Sequence, residues 1–257
     1  MMTTIGKTLL ETKTMTKRNL WKSVKNPDRL MENIIAPIMT MLIFVFVLGG
    51  AMSQTTEVSY VNYIVPGTLL LCIGQCSTAS AAGISTDIQK GIVDRFRSMP
   101  IANASFLNGH VIESVIRTVF SVLLILIVAF FVGFRPDASL SSWLLAIFLL
   151  LLSTVMITWI SVVYGLMIKG PDGAGSLTMF IMLFTYLSSG FIPTDTLPKV
   201  LRIFAENQPM TAIVEAVRRL LLNQPLEDYY FTAIIWCVGL LGVAILLAIR
   251  LYKNKVQ

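Results

Sequence analysis

Six stretches of this chain are apolar for long enough to cross a bilayer, and nothing else in the sequence limits the fold as tightly. A hydrocarbon core of about 30 Å is crossed by roughly 20 helical residues, each rising about 1.5 Å. Asn33 to Met52, Tyr60 to Ser85, Val111 to Gly133, Ser142 to Ile168, Ser176 to Ile192 and Tyr229 to Ile249 meet that requirement. Within lipid each backbone N–H and C=O has to be satisfied inside its own segment, so all six read as helices. The expected fold class is therefore all-α integral membrane, with six transmembrane helices in one domain over residues 1–257. Composition agrees: 55% of the residues are hydrophobic and 13% charged, too few polar side chains to cover a soluble globule of this size.

Lys and Arg outnumber Asp and Glu by 20 to 14, yet the cations sit between apolar runs and build no basic, aromatic face for nucleic acid. They serve instead as topology information, because flanking cations are retained on the cytoplasmic side. Lys7, Lys13, Lys17, Arg18, Lys22, Lys25 and Arg29 precede the first span, and Lys90, Arg95 and Arg97 follow the second. Lys169 follows the fourth, and Arg250, Lys253 and Lys255 follow the sixth. A multi-pass protein of the cytoplasmic (inner) membrane with both termini cytoplasmic is predicted. The first apolar run begins too late for a secretory signal, so no cleavage is expected, and Met at position 2 gives no lipidation signal.

Three segments fall outside the spans. The basic N-terminal segment, 1–32, predicts a helix lying in the cytoplasmic interface, with a solvated basic tail as the alternative. A cytoplasmic link covers 86–106, and a long outer segment covers 193–228. In the latter, Leu197, Val200, Leu201 and Phe204 recur at helical spacing, and the pattern restarts after Pro209 with Met210, Ile213, Val214, Val217 and Leu221. Two short amphipathic or re-entrant helices are predicted there, with Arg202, Glu206, Glu215, Arg218 and Arg219 on their polar faces.

Familiar catalytic patterns are missing. A phosphate-cradling loop needs GxxxxGK[ST], and Gly6-Lys7-Thr8 supplies only its tail, because Met1 stands where the leading glycine belongs. The single histidine, His110, cannot build a multi-histidine metal site, and Cys72, Cys76 and Cys237 all lie in apolar runs. No catalytic residue, metal or cofactor is expected on this chain.

Glu113 and Arg117 stand one turn apart at the start of the third span. Ionisable groups inside a membrane are functional candidates by cost alone; so close to water, however, Arg117 can snorkel and neutralise its partner, which is a structural role. The second span holds a nearly continuous small-residue stretch from Cys72 to Gly83, including Gln75 and Ser77, which suits close helix packing or a face toward a central pathway. Met182, Phe184 and Tyr186 in the fifth span offer flexible thioether and flat aromatic surface for varied apolar ligands, or a packed or lipid-facing surface.

The link Asp87-Ile-Gln-Lys90-Gly91-Ile-Val-Asp94-Arg95-Phe96-Arg97-Ser98-Met99-Pro100 resembles the loop between the second and third spans of type-2 ABC export permeases, especially the daunorubicin-resistance kind. Tyr63-Ile-Val-Pro66-Gly67, Gly190-Phe-Ile-Pro193, Asn207-Gln-Pro209 and Val214-Glu215-Ala-Val-Arg218 agree with that family in the same order. The resemblance implies a permease that pairs with a second permease subunit, as homodimer or heterodimer, and sits on two cytoplasmic ATPase subunits holding ATP and magnesium. It also implies that the link forms a coupling helix, with Gly91, Asp94, Arg95, Phe96, Arg97 and Met99 as its contact residues. An apolar knob with a charged rim suits transmission of a rigid-body movement.

The function expected is export of a small amphipathic or lipophilic compound of the drug or antibiotic class. Lipid-linked sugar or polysaccharide export is a second possibility, and a channel or secondary transporter a third, although neither discontinuous spans with paired charges nor inverted repeats favour the last.

Overall fold

A computed structural model describes residues 4–25, 27–52, 59–92 and 103–256. The chain forms α1 (Thr4–Val24), then α2 (Pro27–Ile43), which passes through a wider π turn (Phe44–Leu48) into α3 (Gly49–Met52). After these come α4 (Tyr60–Gln89), α5 (Asn103–Val132), α6 (Leu140–Met167) and α7 (Ala174–Tyr186). The last elements are α8 (Lys199–Asn207), α9 (Pro209–Leu221) and α10 (Tyr229–Val256). Among the described residues there is no strand.

Four helices among the described residues are long and apolar enough to cross a membrane: Tyr60–Gln89, Ser105–Val132, Leu140–Met167 and Tyr229–Lys253. They are not equivalent. The apolar stretch of α4 is 94% buried inside the protein, against 22% for those of α5 and α10, so α4 is the central post and the others surround it. On α5 the exposed residues Ile116, Phe120, Leu123, Ile127 and Phe131 form one stripe at helical spacing, and Phe231, Ile235, Val238, Leu246 and Ile249 do so on α10. Such stripes suit contact with acyl chains.

Small residues set how closely the neighbours approach α4. A Cβ at Gly165 of α6 would stand 2.7 Å from the Ala81 carbonyl oxygen, and one at Gly74 would stand 2.6 Å from Ile181 Cγ2 of α7. Thr178 of α7 donates a hydrogen bond to Thr78 Oγ1 across the same seam, 2.8 Å.

The two ends of α4 are differently furnished. Ile84 packs with Phe106, Val162, Leu166, Ala248 and Tyr252, so the ends of α4, α6 and α10 and the start of α5 share one face of the bundle. Gln89 Nε2 donates to the Lys169 carbonyl at 2.6 Å on that same face. At the other end Asn62 exchanges hydrogen bonds with the backbone of Arg135, and the Phe44 ring packs at a tilt against Phe191.

The sequence predicts one apolar span over Ser176 to Ile192, whereas α7 stops at Tyr186 and the chain turns from Leu187 to Pro193. Local chemistry explains the stop. Ser188 Oγ donates to the Thr185 carbonyl at 2.6 Å and accepts from the Gly190 N–H at 3.1 Å, replacing helical bonds with a turn. At about 20 Å, a 13-residue helix is short of a full crossing by itself.

Candidate functional site: two polar clusters at the ends of α4

Asp87, in the last turn of α4, is buried and surrounded by cations from elsewhere in the chain. Arg18 Nη2 donates to its Oδ2, Lys22 Nζ donates to Oδ1 at 2.7 Å, and His110 Nε2 lies 3.3 Å from Oδ2. The spacing of Arg18 and Lys22, one turn apart, lets one face of α1 grip a single carboxylate. Ser23 Oγ, further along α1, donates to Glu113 Oε1 at 2.6 Å, so α1 is fixed both to α4 and to α5.

Glu113 and Arg117 do meet, with Nη1 and Oε1 3.6 Å apart. The expected snorkelling is overturned, because Arg117 turns inward and donates from Nη2 to the Cys76 carbonyl at 2.9 Å, with only 9% of its side chain exposed. Inward, the guanidinium finds both a carboxylate and a carbonyl on small-residue helix α4, while α1 covers the pair through Ser23.

At the opposite end Arg218 of α9 is 4% exposed and lies flat on the Tyr63 ring, 3.7 Å from its centroid. It pairs with Glu215, donates from Nε to the Tyr63 carbonyl at 3.1 Å, and donates from Nη2 to the Ser189 carbonyl at 2.5 Å. Tyr63 Oη donates to that same Ser189 oxygen at 2.8 Å, and Tyr60 Oη donates to the Phe191 carbonyl at 2.9 Å. Non-helical backbone survives inside an apolar bundle only where protein groups satisfy it. Here two tyrosines and one arginine serve the turn that follows α7. Pro66, inside α4, removes the N–H due to the carbonyl four residues earlier and loosens the turn on which Arg218 docks.

The residues read as a substrate pathway divide among four neighbourhoods. Gln75 Nε2 lies 3.7 Å from Met182 Sδ, joining α4 to α7. Phe184 packs on Phe204 of α8 and Tyr186 on Phe191, while Ser77 is wholly buried in α4. None of them lines the apolar recess of about 300 Å³ between α4, α5 and α6, whose walls include Leu69, Val122, Leu126, Trp143 and Leu150.

The amino-acid sequence matches known proteins along most of its length. Residues 10–222 match the model of the family described as ABC-2 type transporter. The chain belongs to the ABC-2 type transporter family. It is 25% identical over 247 residues to the daunorubicin resistance ABC transporter permease protein DrrB1 of Streptomyces coeruleorubidus, covering 93% of this chain and 86% of that one. It is 24% identical over 246 residues to the "Probable doxorubicin resistance ABC transporter permease protein DrrC" of Mycobacterium tuberculosis, covering 92% and 84%. The inner membrane transport permease YadH of Escherichia coli is 23% identical over 196 residues, covering 73% and 75%.

Of the residues that the resemblance assigns to ATPase contact, Gly91 lies among the described ones. It adopts φ of 64° and ends α4, its N–H bonding to the Ile88 carbonyl at 3.0 Å. A left-handed residue after the last helical turn is the usual helix stop and favours glycine. Asp94, Arg95, Phe96, Arg97 and Met99 lie outside the described residues.

The Asp87 cluster went unseen in the sequence because its partners are 65 and 69 positions away. Its only local signal was a carboxylate in the apolar-to-basic transition after the second span. Asp87→Asn is expected to loosen α1, costing about 1–3 kcal/mol, the range for leaving hydrogen-bonded partners unmatched. Tryptic cleavage of the purified permease after Lys17, Arg18 or Lys22 should then accelerate severalfold, and an unchanged rate would show that Asp87 does not hold α1.

Proposed function

We propose that this ABC-2 permease is the membrane half of an ATP-driven exporter of small amphipathic or lipophilic compounds. The observation that carries the reading is the alignment along more than nine-tenths of the chain with permeases named for daunorubicin and doxorubicin resistance. ATP and magnesium belong on a separate ATPase subunit, since the chain has no phosphate-cradling loop, and a second permease subunit completes the pathway.

In this reading the chain is one domain of the inner membrane with six crossings. The helical stretch from α2 to α3 supplies the first, supported by the contact of Phe44 with Phe191 at the far end of α4. The fifth is α7 with its following turn, and α8 and α9 form an outer re-entrant segment. The face carrying α1, Asp87, Lys169 and Tyr252 is cytoplasmic, in keeping with its cations. Gln75, Ser77, Met182, Phe184 and Tyr186 contribute to the substrate route between the two permease subunits.

The segment after Gly91 is the coupling helix that docks on the ATPase. Asp94→Ala, Arg95→Ala and Gly91→Val are expected to leave membrane insertion intact, because insertion depends on apolar spans and overall cation balance. The two Ala variants should nevertheless release the ATPase or abolish vesicle transport, since truncating one partner of a buried interfacial charge pair costs about 2–5 kcal/mol, and Gly91→Val should do so by distorting a turn that has φ of 64°. Normal ATPase co-purification together with normal transport in all three variants would remove the coupling assignment.

A further inference from the structure

We propose that the outward face of α1 is a binding site for anionic phospholipid headgroups. The helix has two unlike sides. Thr12, Met15, Thr16 and Asn19 are buried, and Met15 packs so closely on α5 that a Cβ at Gly109 would stand 2.6 Å from Met15 Cβ. The other side presents an open recess of about 440 Å³ lined by Thr14, Lys17, Arg18, Trp21, Lys22 and Lys25. Between residues 13 and 25 there are five Lys or Arg and no Asp or Glu, so the face attracts anions.

Two observations select a lipid rather than a soluble anion. The first is depth. The hydrogen bond from Ser23 to Glu113 sets the Trp21 to Lys25 turn beside the point on α5 where exposed apolar residues begin, at Ile112 and Ile116. Headgroups lie at such a polar-to-apolar boundary. The second is the mixture of surfaces. Trp21 is 58% exposed and Val24 66% exposed among the lysines, with Lys25 Nζ 4.7 Å from the Trp21 ring centroid. An exposed indole among cations suits the interface, where its apolar ring meets chain carbons while the ammonium groups meet phosphate.

Lys17 and Lys25 extend from the recess, whereas Arg18 and Lys22 also hold Asp87. A headgroup seated here therefore stands beside the contact between α1 and the end of α4.

The test uses the full chain with Trp143, Trp159 and Trp236 changed to Phe, leaving Trp21 as the fluorophore. It is reconstituted into phosphatidylcholine bilayers containing increasing fractions of phosphatidylglycerol or phosphatidylcholine brominated near the top of the acyl chains. Half-maximal quenching should need at least about fivefold less of the anionic lipid, since each cation near an anionic surface contributes about that factor. The preference should shrink as salt rises from 0.1 to 1 M, where the screening length falls from about 10 to about 3 Å. Lys17→Gln with Lys25→Gln should move the anionic curve toward the zwitterionic one, while Lys17→Arg with Lys25→Arg should keep it in place. Lipid retention by the unmodified permease, compared with the Gln variant by native mass spectrometry, guards against misfolding of the Phe variant. Equal quenching by both lipids, a preference that survives the Gln changes, or loss of preference on adding soluble glycerol phosphate at constant ionic strength would each overturn the proposal. So would a Trp21 that neither lipid quenches and that responds only to an added ATPase.

Discussion

Gly67→Ala is expected to leave little or no monodisperse permease after extraction from the membrane. A Cβ at position 67 would stand 2.5 Å from the Gly190 carbonyl oxygen and 2.7 Å from its carbonyl carbon and Cα. These are backbone atoms, so no rotamer change can make room. The turn cannot easily retreat either, because its Ser189 and Phe191 carbonyls are held by Tyr63, Arg218 and Tyr60. Overpacking usually costs about 1–3 kcal/mol, and a clash between two fixed backbones belongs at or above the top of that range. Gly190→Ala meets Gly67 Cα and Ser188 Oγ at 3.0 Å and should be milder. Gly239→Ala, with nothing within 4 Å, should be neutral or slightly stabilising, since alanine is favoured over glycine in a helix by about 1 kcal/mol. Thermal midpoints from fluorescence-detected size exclusion rank the three, and equal midpoints would show that α4 and the turn are not in fixed contact.

The long helices were legible because bilayer physics writes itself into composition: α4, α5, α6 and α10 coincide with apolar runs that leave no alternative to a helix. The family was legible for a different reason, since the loop after Asp87 and the Gly and Pro positions from Gly190 to Pro209 keep their order without any need for three-dimensional information. What stayed hidden was decided by partners distant in sequence. Tyr186-Leu187 through Phe191-Ile192 has the composition of a span; Ser188 starts the turn locally, but the carbonyls it frees are satisfied by donors from α4 and α9. Arg117 was expected to reach for water, yet the Cys76 carbonyl and α1 gave it a buried alternative.

The adjacent pair Arg218 and Arg219 shows the same limit. Both lie on one amphipathic helix and look alike in the sequence, yet Arg218 points into the protein while Arg219 pairs with Glu227 and the Pro225 carbonyl toward the rim. Periodicity separates a polar face from an apolar one, but it cannot say which arginine at the border is buried. That depends on Tyr63 offering a ring and Ser189 offering a carbonyl at one place.

Arg218→Ala should accordingly be the most damaging charge removal at the Tyr63 end of α4. Removing one member of a buried ion pair costs about 3–5 kcal/mol, because the remaining charge is left without a partner in a poorly solvated site. Here Glu215 would lose its closest cation and keep only Arg219 Nε, 4.0 Å away, and the Tyr63 carbonyl would lose its guanidinium donor. Arg218→Lys should rescue little, since an ammonium cannot lie on the ring and reach two carbonyls as a planar fork does. Combining Arg218→Met with Glu215→Leu removes the stranded charge and should recover part of the loss, leaving the missing hydrogen bonds to the turn at about 1 kcal/mol each. Arg219→Ala should cost at most about 1 kcal/mol, as expected for a pair at a solvated rim. Thermal midpoints of the purified variants give this order directly. If Arg218→Ala and Arg219→Ala prove equally mild, Arg218 does not hold the turn after α7 against α4, and its burial is incidental to the stability of that end of the bundle.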